Sequence, residues 1–260
     1  KKGEYRISAK TSGVNHKVSG KFDISSADVT SLDIEVLDSN EAGKLFNATV
    51  EGFDEFGNPT GSQSITDFSV ISEHEGEIYS EEDLSFNESG KIAIEDLNLT
   101  VADSSHRIEV NASTVSRYST ELAIKPSEVS YYNFSKINNQ TSGEEFTVAA
   151  EAYDEYDNLA TNYYDSTDLS DASGSVSPKE ITFSSGKWTG KVSITEAVNN
   201  TQLEVTGDSN SAKSNEFDVS LFEVSIDEGI NTVSFPTRSG RYDLNNFVYN
   251  GLKLDNLTIW

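Results

Sequence analysis

The chain has 260 residues, and its 44 Asp and Glu outnumber its 19 Lys and Arg, which gives a net charge of −25 at pH 7. This charge would repel the phosphates of nucleic acids, so nucleic-acid binding is not expected. No run of about 18 apolar residues is present, so the sequence predicts no membrane-spanning helix. The chain has no cysteine, which excludes disulfides and zinc–thiolate sites. Stability must then come from apolar cores, from ions or from neighbouring domains.

A repeat of about one hundred residues organises the chain. The segment Phe46–Asn58 reads FNATVEGFDEFGN, and one hundred positions later Phe146–Asn158 reads FTVAAEAYDEYDN. Further matches, with a small drift in register, pair Ser89–Ile94 with Thr189–Ile194 and Ile108–Val110 with Leu203–Val205. A fixed period of this length predicts consecutive domains of one kind and argues against a single barrel.

In chain order, the sequence predicts four segments. Residues 1–24 supply the closing strands of a preceding domain, because Tyr5–Ile7 and Phe22–Ile24 resemble Ile108–Val110 and Leu122–Ile124. Whole domains follow at 25–124 and 125–220, and residues 221–260 begin a further β-rich surface-protein module. We therefore expect partial domains at both ends and a longer parent protein.

Apolar and polar residues alternate within each repeat, as at Phe46, Ala48 and Val50. Alternation with a period of two is typical of half-buried strands. Short strands every 8–12 residues or so, separated by clusters of Gly, Asn, Asp and Ser, add up to roughly 100 residues for each repeat. The sequence therefore predicts an all-β chain of tandem immunoglobulin-like antiparallel β-sandwich domains.

The segments Phe53–Pro59 and Tyr153–Asn158 resemble the aromatic-Asp-x-aromatic-Gly-Asn loop of bacterial and archaeal Ig-like repeats. Such repeats, of the invasin and adhesin type, occur in S-layer and other cell-surface glycoproteins, and the resemblance covers about residues 25 to 220. Asp157 replaces the family glycine, and aspartate tolerates a left-handed turn better than most residues. Residues from Leu221 resemble the opening of an archaeal surface-protein module, with Gly229–Pro236 at its turn and Leu257–Trp260 in its middle.

Two kinds of site are predicted, and the first is N-linked glycosylation. The chain has eight N-x-S/T sequons, about twice the number expected by chance, at Asn47, Asn87, Asn98, Asn111, Asn133, Asn139, Asn199 and Asn256. Strand alternation aims Asn98, Asn111 and Asn133 away from the core, where a glycan would fit. The alternative is that outward positions are simply rich in Ser, Thr and Asn.

The second kind is a calcium site in each copy of the repeated loop. The candidate ligands are Asp54, Glu55 and Asn58 in one loop and Asp154, Glu155, Asp157 and Asn158 in the other. Clustered carboxylate and amide oxygens suit calcium, which accepts irregular geometry. The alternative is that Asp and Asn cap the turn by accepting backbone N–H groups. No other cofactor is expected, and the acidic run from Glu73 to Asp83 is expected to be a solvated loop.

The sequence gives no support for an enzyme, because its three histidines are scattered and no G-x-S-x-G or H-E-x-x-H motif is present. The leading hypothesis is a structural segment of an extracellular S-layer-type glycoprotein, in which tandem Ig-like domains act as spacers in a cell-surface or cell-wall coat. Its partners would be N-linked glycans and neighbouring copies of itself in a lattice or filament.

Two other functions remain open at this point. One is the stalk of an adhesin or surface filament, and the other is a non-catalytic accessory module of a secreted polysaccharide-degrading enzyme. A further hypothesis is that residues 1–24 of one copy complete the sandwich of a neighbour by strand donation.

Overall fold

The computed structural model describes residues 1–37, 41–221 and six short strands between residues 225 and 259. In this described part every regular element is a β-strand, which confirms the predicted all-β fold. No helix there has the length and apolar character that crossing a bilayer requires.

The first sandwich has two sheets, with strand orders β5-β6-β9 and β12-β11-β7-β8, and a separate β10–β13 pair. These orders correspond to the ABE and GFC sheets of an immunoglobulin-like sandwich. The strands are β5 (Ser31–Leu37), β6 (Phe46–Phe53), β7 (Ser64–Ser72), β8 (Gly76–Ser85), β9 (Lys91–Leu97), β10 (Asp103–His106), β11 (Ile108–Ala112), β12 (Val115–Tyr118) and β13 (Leu122–Ile124).

The second sandwich repeats this arrangement with the sheets β14-β16-β20-β18 and β19-β17-β22-β23. A third, three-stranded sheet has the order β15-β24-β21, in which β15 and β24 run parallel. The strands are β14 (Tyr131–Phe134), β15 (Gln140–Thr141), β16 (Glu145–Tyr153), β17 (Ser166–Asp171), β18 (Val176–Ser177), β19 (Glu180–Thr182), β20 (Lys187–Ile194), β21 (Val198–Thr201), β22 (Leu203–Thr206), β23 (Ser211–Lys213) and β24 (Phe217–Ser220).

Each sandwich has its own apolar core between its sheets. The first core includes Val50 and Val110, and the second includes Val148 and Val205, none of which has any exposed surface. Along β6 and β16 buried residues alternate with less buried ones, as the period-two pattern predicts. Full burial of each such aliphatic side chain stabilises the fold by about 1.5–3 kcal/mol. The two cores explain why the sequence repeats as it does.

The structural register of the repeat corrects one sequence match. The Gly52 N–H donates to the Gly90 carbonyl, and the equivalent Ala152 N–H donates to that of Gly186. Ser89–Ile94 therefore corresponds to a segment that begins at Ser185, and its match to Thr189–Ile194 was wrong by four residues. The error arose because the dipeptide Gly-Lys occurs both at Gly186 and at Gly190.

Residues 1–24 form a hairpin whose strand pairing resembles that of the hairpin at the end of the first sandwich. Its strands are β1 (Gly3–Tyr5), β2 (Ser8–Ala9), β3 (Lys17–Val18) and β4 (Phe22–Ile24). Gly3 pairs with Ile24 as Asp103 pairs with Ile124, which agrees with the sequence match at Phe22–Ile24.

An equivalent serine is present in all three hairpins. The hydroxyls of Ser19, Ser119 and Ser214 accept the N–H groups of Ile7, Ile108 and Leu203, respectively, at 2.9, 3.2 and 3.0 Å. Ile7 is therefore the equivalent of Ile108, so the sequence match of Tyr5–Ile7 to Ile108–Val110 was wrong by two residues. Ile7 is exposed, whereas Ile108 is buried in the first core.

After residue 221 the structure describes only short antiparallel pairs, β25 with β26, β27 with β30 and β28 with β29. The strands are β25 (Ser225–Ile226), β26 (Val233–Ser234), β27 (Tyr242–Leu244), β28 (Phe247–Tyr249), β29 (Leu252–Leu254) and β30 (Leu257–Ile259). Most of the predicted Gly229–Pro236 turn and Trp260 lie outside the described residues.

Substitutions at two glycines of the second sandwich distinguish the cost of backbone strain from the cost of steric crowding. Gly186 and Gly174 have φ angles of +74° and +71°, but a Cβ on Gly186 would lie 2.6 Å from the Ala160 carbonyl oxygen, whereas a Cβ on Gly174 would meet nothing within 4 Å. We expect Gly174→Ala to lower the free energy of unfolding by about 1–2 kcal/mol. Gly186→Ala should cost a further 1–3 kcal/mol or so. Denaturant unfolding of both variants checks this. Equal losses in the free energy of unfolding would contradict the role of the close contact between position 186 and the Ala160 carbonyl.

Candidate functional site: the Asp–Asn turns between the sandwiches

The repeated loop forms the same turn in both sandwiches. It follows β6 in the first and β16 in the second, where the N–H of Asp54 donates to the carbonyl of Asn58 (2.9 Å) and that of Asp154 to Asn158 (3.0 Å). The fourth residue of each turn has a positive φ, +73° at Gly57 and +66° at Asp157. Asp157 thus adopts the left-handed conformation that its replacement of glycine predicts.

The aspartate of the first turn is buried, and N–H groups surround its carboxylate. Asp54 is 3% exposed and accepts the backbone N–H groups of Phe56 (3.0 Å), Asn58 (2.8 Å) and Ala27 (3.1 Å). The Asn58 Nδ2 donates to both carboxylate oxygens, at 3.1 and 2.9 Å. The Asn58 side chain, together with these backbone amides, lowers the pKa of Asp54 to about 2. The carboxylate therefore stays ionised and ties the turn to the incoming chain at Ala27.

The second turn repeats all but one of these contacts one hundred residues later, because Asn158 Nδ2 donates to one carboxylate oxygen and not to both. Asp154 has no exposed surface and accepts the N–H groups of Tyr156 (2.9 Å), Asn158 (2.8 Å) and Ser127 (3.0 Å). Asn158 Nδ2 donates to its Oδ2 at 2.9 Å. Ser127, like Ala27, lies in the segment that enters the sandwich. Both aspartates therefore fix the entry of the chain into their own domain.

The asparagine of each turn bonds to the backbone of the preceding unit. Asn158 Oδ1 accepts the N–H of Ala102 (2.9 Å), and its Nδ2 donates to the carbonyl of Thr100 (2.7 Å). Asn58 Oδ1 likewise accepts the N–H of Lys2, at 3.0 Å. Lys2 and Ala102 are one hundred residues apart, as are the two asparagines. The turn is thus a repeated joint between consecutive units.

An aromatic side chain adds an apolar contact to the second joint. Tyr156 packs against the core of the first sandwich, and a Cβ on Gly43 would lie only 2.1 Å from its hydroxyl oxygen. A glycine at position 43 is therefore required for this close approach. The equivalent aromatic of the first turn, Phe56, is 70% exposed. The two joints share their polar contacts and differ in this apolar one.

The residues predicted as calcium ligands do not come together as a cation site. The carboxylate oxygens of Asp54 and Asp154 accept hydrogen bonds from N–H donors, as the capping alternative predicted. Because a carboxylate has only about four acceptor positions, these bonds occupy them. Asp157 accepts the Tyr131 hydroxyl (2.6 Å), while Glu55 and Glu155 are exposed. In the described residues, no three His, Asp or Glu side chains are arranged to hold a metal ion. Calcium binding stays a prediction without support from this geometry.

The sequons differ in their exposure. Five asparagines are exposed and two are partly buried; the exposed ones are Asn47, Asn87, Asn133, Asn139 and Asn199, the partly buried ones Asn98 and Asn111. The Oδ1 of Asn98 is buried and has no hydrogen-bond partner. Asn98, Asn111 and Asn133 are each less buried than the residues on either side of them. Asn256 lies outside the described residues.

Sequence reasoning missed the receiving side of the second joint. Thr100 and Ala102 contribute backbone atoms, which have no sequence signature. Glu75, assigned to a solvated loop, is partly buried, and its carboxylate accepts the N–H groups of Thr100 (2.7 Å) and Val101 (2.9 Å). For Ala102 the period itself was a signal, because this residue lies one hundred residues after Lys2.

The pKa of Asp54 predicts an acid-sensitive first sandwich. Because the folded-state pKa of about 2 lies below the ordinary 3.8, the contribution of Asp54 to stability is complete above about pH 4 and is lost as the pH falls toward 2. Asp54→Asn should therefore flatten the loss of stability between pH 4 and 2. Urea unfolding at stepped pH measures this, with the exposed Asp83→Asn as the control for loss of one charge. Identical pH dependence in Asp54→Asn and wild type would contradict it.

No protein-family model matches the chain, and no curated protein is similar to it in sequence. Among solved structures, it is similar to FdeC, an Escherichia coli adhesin, with 14% identity over 85% of this chain and 74% of that chain and a TM-score of 0.42. Domains 4 and 5 of the S-layer protein SbsC are 13% identical over 75% of this chain and 100% of that one, with a TM-score of 0.34.

A β-glycosidase from Bacteroides vulgatus is also similar, with 10% identity, a TM-score of 0.32 and coverage of 72% of this chain and 24% of that chain. The three proteins thus have different functions. At these identities and TM-scores, the immunoglobulin-like assignment depends on the sandwich topology of the chain itself.

Proposed function

We propose that this chain is a spacer of an extracellular cell-surface protein, in which the Asp–Asn turns hold consecutive Ig-like domains at a defined angle. The observation that carries this proposal is the repetition of the joint. The same five-residue turn bonds to the incoming segment and to the preceding unit at two places one hundred residues apart. A chain that only needed to connect two folded domains would not require this geometry twice.

The burial of the joint supports stiffness. Asp154 is completely buried, and Tyr156 of the second sandwich is part of the periphery of the first core. Each hydrogen bond of this kind contributes about 0.5–1.5 kcal/mol, and hydrogen bonds to charged groups contribute more. Several such bonds acting together restrict the angle between domains far more than a flexible linker would.

The surface supports an extracellular location. Five exposed sequon asparagines on the two sandwiches could each accept a glycan without disturbing a core. The Asn87 Oδ1 accepts the N–H groups of Ser89 (2.9 Å) and Lys91 (3.0 Å), which leaves its Nδ2, the atom that a glycan would modify, outside these bonds. A net charge of −25 keeps such a surface soluble and hydrated.

The finer proposal is an S-layer-type glycoprotein whose copies form a cell-surface coat. The chain's repeated joints, exposed sequons and acidity fit that role. They also fit the stalk of an adhesin, in which the same spacers would project a binding domain. Electron microscopy of the glycosylated protein distinguishes these roles, because sheets support the coat and isolated linear particles support the stalk. The hypothesis of strand donation by residues 1–24 is contradicted, because β1 pairs with β4 and β2 with β3 within the same chain.

The joint predicts that Asn158→Ala loosens the chain without unfolding either sandwich. The substitution removes the bonds to Thr100 and Ala102 and one bond to Asp154. Small-angle X-ray scattering should show a broader range of inter-domain distances, while near-ultraviolet circular dichroism keeps its native signal. The exposed Asn133→Ala is the matched control. An unchanged scattering curve for Asn158→Ala would refute the spacer role of this turn.

Exposure predicts which sequons are used. In protein produced by its native host, we expect glycans at exposed asparagines such as Asn87 and Asn133. We expect lower occupancy at Asn98, because its Oδ1 is buried. Site-specific mass spectrometry of glycopeptides measures the occupancy. A fully occupied Asn98 beside an empty Asn87 and Asn133 would contradict the role of exposure.

A further inference from the structure

A buried histidine lies in the first sandwich beside the second joint. His106, at the end of β10, has no exposed surface, and its ring packs edge-on against His74 with 4.9 Å between centroids. Its Nε2 is 2.9 Å from the hydroxyl oxygen of Ser72. The Nδ1 is buried and has no hydrogen-bond partner. The residue has no role in the turn contacts described above.

The hydrogen bonds at Ser72 determine the tautomer of His106. The Ser72 hydroxyl oxygen accepts the N–H groups of His74 (3.2 Å) and Glu75 (3.0 Å). These two bonds fill both of its lone pairs, so the hydroxyl must donate its own proton to His106 Nε2. In this arrangement Nε2 is the acceptor, and the proton of the neutral imidazole lies on Nδ1, where the N–H has no acceptor. Protonation of His106 would place a hydrogen on Nε2, where the hydroxyl proton already points.

The same short turn controls the receiving side of the joint. Glu75 follows Ser72 by three residues, and its carboxylate accepts the N–H groups of Thr100 (2.7 Å) and Val101 (2.9 Å) and the Thr100 hydroxyl (3.2 Å). The Thr100 carbonyl accepts Asn158 Nδ2 from the second sandwich. A continuous chain of hydrogen bonds therefore leads from His106 through Ser72 and Glu75 to the joint.

The charges around His106 set the pH range in which it titrates. Burial, first, and the charge of His74 lower its pKa, whereas the carboxylates of Glu75, Asp103 and Glu73 oppose this, and the balance lies below the ordinary value. His74 itself faces Asp103, with 3.7 Å between Nε2 and Oδ2. Because of this lowered pKa, His106 binds fewer protons in the folded state than in the unfolded state. His106 therefore does not reduce the free energy of unfolding above about pH 6.5, and it reduces that free energy as the pH falls below this value.

We propose that protonation of His106 opens the Ser72–Glu75 turn and thereby loosens the joint between the two sandwiches. To accept a new Nε2–H, the Ser72 oxygen must give up the N–H of His74 or that of Glu75. Loss of either bond frees the turn, and Glu75 then no longer holds Thr100 in place for Asn158. This inference depends on the geometry of the joint and goes beyond the spacer function.

The second sandwich provides a natural comparison for His106. His106 pairs with Leu122 as Thr201 pairs with Phe217, so Thr201 occupies the equivalent buried position without a titratable group. His106→Thr is therefore the variant that the repeat itself suggests. His74→Gln is the second control, because it removes the neighbouring titratable ring and keeps Ser72, His106 and Glu75.

The test uses the full chain and takes advantage of its lack of cysteine. Positions 80 and 189 are both exposed, and spin labels attached at Ser80→Cys and Thr189→Cys report the distance between the sandwiches by pulsed electron paramagnetic resonance. From pH 8 to pH 4.5, we expect the wild-type distance distribution to broaden as the His106 imidazole becomes protonated in nitrogen-15 NMR. The His74→Gln distribution should also broaden, whereas that of His106→Thr should keep one width across this range. Asn158→Ala should be broad at every pH.

Three results would overturn the proposal. One is an unchanged wild-type distribution at a pH where NMR shows His106 protonated. Another is equal broadening in His106→Thr and wild type. The third, which needs no variant, is an Nε2–H tautomer of neutral His106 at pH 8, because Ser72 would then accept from the ring and not donate to it. If His106→Thr fails to fold, the wild-type titration and the tautomer still decide.

Discussion

The buried aspartate of the repeated turn is the constraint on which the arrangement of this chain depends. A carboxylate inside a protein is unfavourable unless its acceptor positions are filled. Asp54 and Asp154 meet that requirement with N–H groups from their own turn, from the asparagine four residues on and from the segment that enters the sandwich. The need to satisfy one charge thus fixes a turn, a linker and an amide side chain together.

The asparagine extends this local solution to the neighbouring unit. Its Nδ2 is held by the aspartate, so its amide plane is already oriented when it reaches the preceding backbone. Preorganisation of this kind lowers the entropy cost of the contact. The second joint adds Tyr156 over Gly43, and the bonds of Glu75 to Thr100 and Val101 hold the segment between β9 and β10 in position. Cores and joint therefore share their boundary residues, which couples domain stability to domain orientation.

Much of this fold was accessible from the sequence. The repeat followed from comparing segments one hundred residues apart, and the all-β class and the left-handed Asp157 followed from local alternation and turn patterns. The capping interpretation of Asp54 also followed, since Asp-to-amide bonds span only a few residues. Strand register was less accessible: two Gly-Lys dipeptides lie four residues apart, and only the pairing of Gly186 with Ala152 selects between them. The contact of Ser72 with His106 joins residues 34 apart, and no local pattern indicates it.

The turn contacts backbone atoms of the segments around it, and this bears on how such chains evolve. The turn bonds to Lys2, Ala102, Ala27 and Ser127 through their backbone N–H groups and to Thr100 through its carbonyl. Almost any amino acid can supply those atoms, so the hydrogen bonds of the turn could form with a new neighbour after duplication or recombination, whereas the Tyr156 contact would still require a glycine at position 43. Gene duplication could therefore lengthen the array in whole domains while each sandwich diverged, since the side chains that make the polar contacts between neighbours come from a single short loop.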